Sequence, residues 1–247
     1  MKLDISKVNL SRFDIKRELT LPQEMSEKLA EDIGIMIGDG HIGSYILKKK
    51  EYQIYVSGNA YLDKDYISNH VRKLKKDLYN LAFPVSVVGR NKSEIRLKIC
   101  SKGLVGFYNK IIGLPVNKKE NIGIPDCIWE KKKYLTSCLR GIIDTDFSLC
   151  FKKVEKYPVM HLKTCSMRLV RDCKKALQKL GIKANSYYNI LEYHKVTRNN
   201  FVTNYLYING RKKLRKAVEE IGFHSDRLNE KIRAHRDSNP GPNERSF

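Results

Sequence analysis

Leu29-Ala30-Glu31-Asp32-Ile33-Gly34-Ile35-Met36-Ile37-Gly38-Asp39-Gly40, read together with Ser137-Cys138-Leu139-Arg140-Gly141-Ile142-Ile143-Asp144-Thr145-Asp146-Phe147, decides the fold. Each stretch is an apolar run that ends in an acid. Placed 107 positions apart, Ala30, Gly34 and Gly38 fall on Ser137, Gly141 and Thr145, and Asp39 falls on Asp146. A small residue at every fourth position lies on one face of a helix and lets two backbones come close. The natural partner of each stretch is therefore the other, which sets Asp39 and Asp146 side by side.

Outward from these stretches the rest of the chain repeats as well. Pro22 marks the start of the first helix, with Met25, Leu29, Ile33, Met36 and Ile37 on its apolar face. Period-two strands are expected at His41 to Lys49 and Tyr52 to Ser57, a helix from Asp63 to Leu81, strands at Val85 to Arg90 and Glu94 to Cys100, and a helix to about Gly113. Pro115 to Asp126 has no clear period and reads as a link. The order then recurs: helix Ile128 to Thr145, strands Ser148 to Lys153 and Val159 to Thr164, helix Met167 to Leu180, strands near Ser186 to Tyr193 and Phe201 to Ile208, and helix Arg211 to Ile221. Residue identity follows the pattern, since Val71-Arg72 to Leu81 lines up with Val170-Arg171 to Leu180, and Ile112-Gly113-Leu114 with Ile221-Gly222-Phe223.

The expected fold class is α+β: two pseudo-symmetric αββαββα halves packed through the motif helices. Residues 1–21 are an N-terminal extension, 22–114 the first half, 115–126 the linker, 127–232 the second half and 233–247 a polar tail expected to be disordered.

Charge narrows the partners. Against 27 Asp and Glu stand 48 Lys and Arg, a net +21 spread over nearly every segment, which fits nucleic acid bound across a folded surface. No amphipathic helix combines a bulky apolar face with a uniformly basic one, so membrane binding is not expected. The start, Met1-Lys2-Leu3-Asp4, has no secretory pattern, and a cytoplasmic location (organellar matrix in a eukaryote) is expected. Six cysteines without a C-x-x-C pair read as reduced, buried core thiols rather than a zinc site.

A carboxylate at a helix C-terminus faces the negative end of the helix dipole, and a second one beside it adds repulsion. A hard divalent cation, Mg²⁺ or Mn²⁺, relieves both, filling its remaining positions with water and phosphate oxygens. On a basic surface this is the chemistry of metal-assisted phosphodiester hydrolysis. Two other readings stay open at this level. Either acid could serve an ordinary helix-end turn, and Asp144-Thr145-Asp146 could be the D-x-D of a small-substrate phosphoryl-transfer enzyme.

The two stretches resemble the paired motifs of single-chain LAGLIDADG homing endonucleases, the intron-encoded type of archaea and organelles. Gly34, Asp39 and Gly40 match in the first copy, with Ile35 and Met36 at apolar positions; Leu139, Gly141, Ile143, Asp144 and Asp146 match in the second. The resemblance covers roughly residues 22 to 232. It implies a monomer with an internal pseudo-two-fold axis, a saddle of two four-stranded antiparallel sheets along the DNA major groove, a long double-stranded recognition site and divalent-metal cleavage. Asp39 and Asp146 would bind the metal, with Gly38 and Thr145 in the same set. Assisting basic residues are expected among Lys118, Lys119, Arg227 and Lys231. Phe147 replaces the final motif glycine and is expected to burden the turn. A polar, water-organising position falls instead on Gly58 and Cys165.

Expected DNA-facing residues are Gln53, Tyr55, Arg96 and Lys98 in the first half, and Lys152, His161, Lys163, Asn189, Asn204 and Tyr205 in the second. Arg and Lys suit guanine and Asn and Gln suit adenine in the major groove. The rival of another class is an RNA-splicing maturase, with intron RNA as its partner, or a non-cleaving DNA-binding regulator on the same scaffold.

Overall fold

The computed structural model describes residues 1–46, 50–152, 157–194 and 197–238, without the side chains of residue 50 and residues 235–238. The far ends of the strands expected to reach Lys49 and Lys153, and of the tail, lie outside the described residues.

Among the described residues, eight strands form two four-stranded antiparallel sheets of the same order. In the first half β1 (Gly40–Ile46), β2 (Lys50–Asn59), β4 (Glu94–Cys100) and β3 (Val85–Val88) lie side by side in that order. In the second half β5 (Phe147–Lys152), β6 (Tyr157–Thr164), β8 (Asn199–Asn209) and β7 (Asn185–His194) repeat it. The expected α+β architecture of two pseudo-symmetric halves is the observed one.

Alternation along the strands gives each sheet one buried face. Ile42, Ile54, Val56, Ile95, Leu97 and Ile99 are buried in the first, and Leu149, Met160, Leu162, Leu206 and Ile208 in the second. Helices α3 (Arg72–Tyr79), continuing a π-helical Tyr66–Val71, and α4 (Lys102–Gly106) belong to the first half. Helices α6 (Met167–Lys179) and α7 (Arg211–Glu220) belong to the second. The repeat reaches backbone conformation: Gly113 and Gly222, matched in sequence, both take left-handed φ, +85° and +68°, where the chain leaves a helix.

The central helices are α2 (Glu27–Ile37) and α5 (Lys132–Asp146). The Ser26 hydroxyl caps α2 by accepting from the Leu29 N–H at 3.1 Å. The first helix therefore starts at Glu27 and not at Pro22, because Lys2 pairs in extended conformation with Glu24. The small-residue stripe forms the expected seam. A Cβ on Gly34 would lie 2.1 Å from the Cys138 carbonyl oxygen, one on Gly141 2.3 Å from that of Glu31, and one on Gly38 2.0 Å from Thr145 Oγ1.

Three boundaries differ from expectation. The N-terminal extension is part of the first half: α1 (Arg12–Lys16) carries a buried Asp14 that accepts from Ser101 Oγ at 2.6 Å and from the Gly103 N–H at 3.0 Å. The linker is pinned, since Asn117 exchanges side-chain hydrogen bonds with the Ser44 backbone at 3.0 and 3.2 Å, and Ile122 and Ile124 are buried. Residues 233–238, expected to be disordered, close a helix, α8 (Asp226–Ser238), docked through Leu228 and Ile232. Of the cysteines, only Cys138 and Cys173 are buried; Cys100, Cys150 and Cys165 are exposed because they sit on open strand faces or past a strand end.

Candidate active site

Both acids emerge where a central helix hands over to a strand. Helix α2 stops at Ile37, the Gly38 N–H bonds to the Gly34 carbonyl at 3.1 Å, and Asp39 occupies the turn before β1. Helix α5 runs two residues further, through Asp146 itself, and Phe147 begins β5. A Cβ on Gly38 would come within 3.4 Å of the Asp146 carboxyl carbon, so the stripe delivers the two acids to one place. Phe147 does not burden the turn: it is extended (φ −86°, ψ 145°) and fully buried. Its counterpart Gly40 has no positive φ either. That glycine is required because a Cβ would lie 2.4 Å from Met36 Cα.

Two cations cap the two helix ends in matching ways. Lys119 Nζ donates to the carbonyls of Ile37 at 2.9 Å and Gly38 at 2.6 Å. Arg227 Nη2 donates to those of Asp144, Thr145 and Phe147 at 3.2, 3.3 and 3.4 Å. Each thus places positive charge at the negative end of a helix dipole. Lys231 holds the next carbonyl along β5, Leu149, at 3.1 Å. Lys118 does not join them; it is exposed and pairs with Glu120 at 3.7 Å.

The electrostatics are those of acids crowded away from water. Burial, then the charges of Asp146 and Asp63, push the Asp39 carboxyl up to about 8, against the pull of Lys119 and Arg227. Burial raises Asp146 to about 6, with the same two cations opposing. Burial lowers Lys119 to about 8 although both acids favour its charge. Two hard carboxylates held near each other, with ionisation costly, form a donor set that fits a divalent cation. The carbonyls of Gly38 and Thr145 lie beside it, but each already accepts from Lys119 or Arg227. The Thr145 hydroxyl is turned away, donating to the Gly141 carbonyl at 2.7 Å.

A third carboxylate, Asp63, was not foreseen. It accepts from the Asn59 N–H at 2.8 Å, and its other oxygen lies 3.4 Å from Arg227 Nε. Gly58 explains its approach, since a Cβ there would lie 3.0 Å from both Asp63 Cβ and Oδ2. The turn that follows thus sets a carboxylate against position 58. The Asn59-x-x-x-Asp63 spacing carries the turn in sequence, but no local pattern announces the pairing of Asp63 with Arg227, which comes from the other half.

The sheet faces away from the core carry most of the expected DNA-facing residues. Tyr55 pairs with Lys98 and Ser57 with Arg96 in the β2–β4 register, and the Arg96 guanidinium lies 4.7 Å over the Tyr55 ring. Gln53 is on the same face, donating to Glu51 at 2.8 Å. His161 pairs with Tyr207 and Lys163 with Tyr205 on the second sheet, and Lys152 ends β5 on that face. Lys163 is bound to Glu192 at 2.5 Å. His41, Tyr45 and Tyr207 extend this surface and were missed; His41 stacks on Tyr55 at 4.6 Å.

Asn204 is not on it. It is buried on the opposite face, giving hydrogen bonds to the Thr164 and Cys165 carbonyls at 3.4 and 3.1 Å and taking the Asn189 N–H at 3.0 Å. Side chains alternate along a strand, so Asn204 and Tyr205 point opposite ways. Asn189, exposed with φ +55°, belongs to a bulge in β7 that Asn204 secures.

Comparison with known proteins follows this geometry. Residues 133–222 match the model of the LAGLIDADG-like domain. The replication factor C small subunit of Methanocaldococcus jannaschii is 27% identical over 219 residues, covering 88% of this chain. The chain spans 11% of that relative's length. Among solved structures, I-DmoI in complex with DNA and Ca superposes with a TM-score of 0.59 at 15% identity, covering 85% of this chain and 98% of that one. The LAGLIDADG homing endonuclease I-GzeII in complex with its DNA target gives 0.52 at 8% identity, over 90% and 94% of the two chains. The meganuclease I-SmaMI bound to uncleavable DNA gives 0.51 at 11% identity, over 87% and 99%.

Proposed function

We propose, for a chain whose second half is a LAGLIDADG-like domain and whose fold is that of the LAGLIDADG homing endonucleases, that it is a site-specific endonuclease cutting both strands of duplex DNA with a divalent metal. The carrying observation is the meeting of Asp39 and Asp146, each backed by a cation that caps the preceding helix, between two sheet faces rich in Lys, Arg and Tyr.

Asp39 and Asp146 are the residues that would hold Mg²⁺ or Mn²⁺. Such an ion supplies Lewis acidity toward the phosphate and lowers the pKa of bound water. I-DmoI has been solved with DNA and Ca and with DNA and Mn, which supports a divalent ion in the same place. Lys119 and Arg227 position the helix-end carbonyls and place positive charge where a scissile phosphate gathers negative charge. With its pKa near 8, Lys119 also has a proton to give near neutral pH. The open sheet faces bind the backbone and read base edges through Arg96, Lys98, Lys163 and Gln53. An intron-encoded origin and monomeric action go with this reading.

Incubation with a library of random duplexes plus Mg²⁺, followed by sequencing of the ends, tests it. Enrichment of cut ends around one long sequence is expected. Selective binding without any cut ends would favour the non-cleaving regulator, and binding confined to structured RNA the maturase.

A further inference from the structure

Away from the two acids, a second cluster of metal-ligating side chains joins the halves. Glu31 comes from α2, His70 from the π-helical turn before α3, and His224 from the loop between α7 and α8. His70 Nε2 lies 2.6 Å and His224 Nδ1 2.8 Å from the same oxygen, Glu31 Oε1. The three ligand atoms are all within 4.8 Å of one another. The two imidazole rings are 4.1 Å apart between centroids.

The surroundings fix each member. Arg140 Nη1 takes the other Glu31 oxygen at 3.4 Å, and Arg140 is itself anchored on the Ile221 carbonyl by Nε at 2.9 Å and Nη2 at 2.8 Å. Asp144 accepts the backbone N–H groups of His224 at 3.0 Å and Ser225 at 3.1 Å, which holds the loop carrying His224. Tyr66 stacks on His70 at 5.5 Å between centroids. Glu31 is buried, while the side chains of His70 and His224 are 30% and 40% exposed, so the cluster opens to solvent on its histidine side.

We propose that Glu31, His70 and His224 form a binding site for a transition-metal dication of the Zn²⁺ class, which ties the first half of the chain to the second. Two imidazole nitrogens and one carboxylate oxygen are a zinc donor set, with a fourth position left to water. Imidazole ligands select Zn²⁺, Co²⁺ or Ni²⁺ over Mg²⁺, so the site is chemically separate from the paired acids. It is spatially separate too, because six residues of helical rise put Glu31 about 9 Å along α2 from Ile37, and Asp39 lies beyond that end. Tetrahedral bonds of about 2.0–2.1 Å set ligand atoms about 3.3 Å apart, so the His70 nitrogen has to swing back from Oε1 by about 0.7 Å and that of His224 by about 0.5 Å. Partly exposed rings can do so without moving the backbone. Arg140, on the far oxygen, leaves Oε1 free for the ion and fixes the carboxylate plane. The proposal does not depend on nuclease activity.

Equilibrium dialysis of the full, chelator-treated chain against Zn²⁺ alone tests it. Wild type is expected to bind one equivalent that the Asp39→Asn/Asp146→Asn variant retains. The His70→Ala, His224→Ala and Glu31→Gln variants should each bind at least about tenfold more weakly. Undiminished Zn²⁺ binding in the three variants, or no binding to wild type, would overturn the proposal. A measurement on wild type alone guards against variants that fail to fold: Co²⁺ spectra should report a four-coordinate nitrogen and oxygen site. Thiolate bands, or a purely six-coordinate spectrum, would contradict it.

Discussion

At pH 7 the Asp39 carboxyl, raised to about 8 by burial and by Asp146 and Asp63, holds its proton in the metal-free protein. A metal ligand must be deprotonated, so Mg²⁺ binding near neutrality should release a proton and tighten as the pH rises toward 8. Calorimetry in buffers of different ionisation enthalpy checks this; binding without proton release between pH 6 and 8 would contradict it. Asp14 has the opposite sign. Burial would raise it, but hydrogen bonds from Ser101, Ser11 and the Gly103 N–H outweigh burial and hold it below the usual carboxylate range. A depressed folded-state pKa contributes stability above the unfolded value near 3.9 that is lost as the pH falls through the lower folded value. Asp14→Asn should therefore cost about 1–3 kcal/mol at pH 7, with the difference closing in acid; urea unfolding at pH 7 and pH 3 measures it. The paired acids Asp39 and Asp146 were legible because apolar runs rarely end twice in the same way. Asp63, its pairing with Arg227 and the burial of Asn204 were not, since they depend on pairings between distant segments or on the phase of one strand residue.

Helix pairs explain which glycines matter. Gly34 and Gly141 face backbone atoms of the opposing helix at 2.1 and 2.3 Å from a would-be Cβ, and neither backbone can yield without parting α2 from α5. Substitution of either by Ala should destabilise by about 1–3 kcal/mol, as overpacking does, and misalign the acids. Gly113→Ala meets nothing within 4 Å and suffers only from its φ of +85°, a cost of about 1 kcal/mol. Thermal unfolding together with metal-binding measurements separates the cases: all three lose stability, and only the first two lose metal affinity. The seam was readable as small residues at every fourth position. Helix α8 was not, because within Asp226-Arg227-Leu228-Asn229-Glu230-Lys231-Ile232 only Leu228 and Ile232 are apolar. The pinned linker was missed for a similar reason: Asn117, Ile122 and Ile124 show no period, yet they hold Lys119 against the end of α2.

Over the whole molecule, the net charge of +21 and the two open sheet faces act together. A surface neutralising six or more phosphates should lose roughly 10³-fold or more in duplex affinity between 50 and 200 mM salt; fluorescence anisotropy at graded salt reads the slope, and a flat response would exclude the sheets as the DNA surface. Architecture was the most legible level, because two copies of one element order under one charge balance leave few ways to bury the apolar faces. What ties the halves at their flank, Glu31 with His70 and His224, has no period and no motif and needed the fold to be seen. The central claim concerns Asp39 and Asp146 as the paired metal acids of one nuclease. Its most direct test is cleavage of a supercoiled plasmid bearing the recovered site, in Mg²⁺ and at matched DNA occupancy, by wild type, Asp39→Asn and Asp146→Asn. Wild type should linearise the plasmid while both variants bind it equally well without linearising it; linear product at the wild-type rate from both variants would contradict the account.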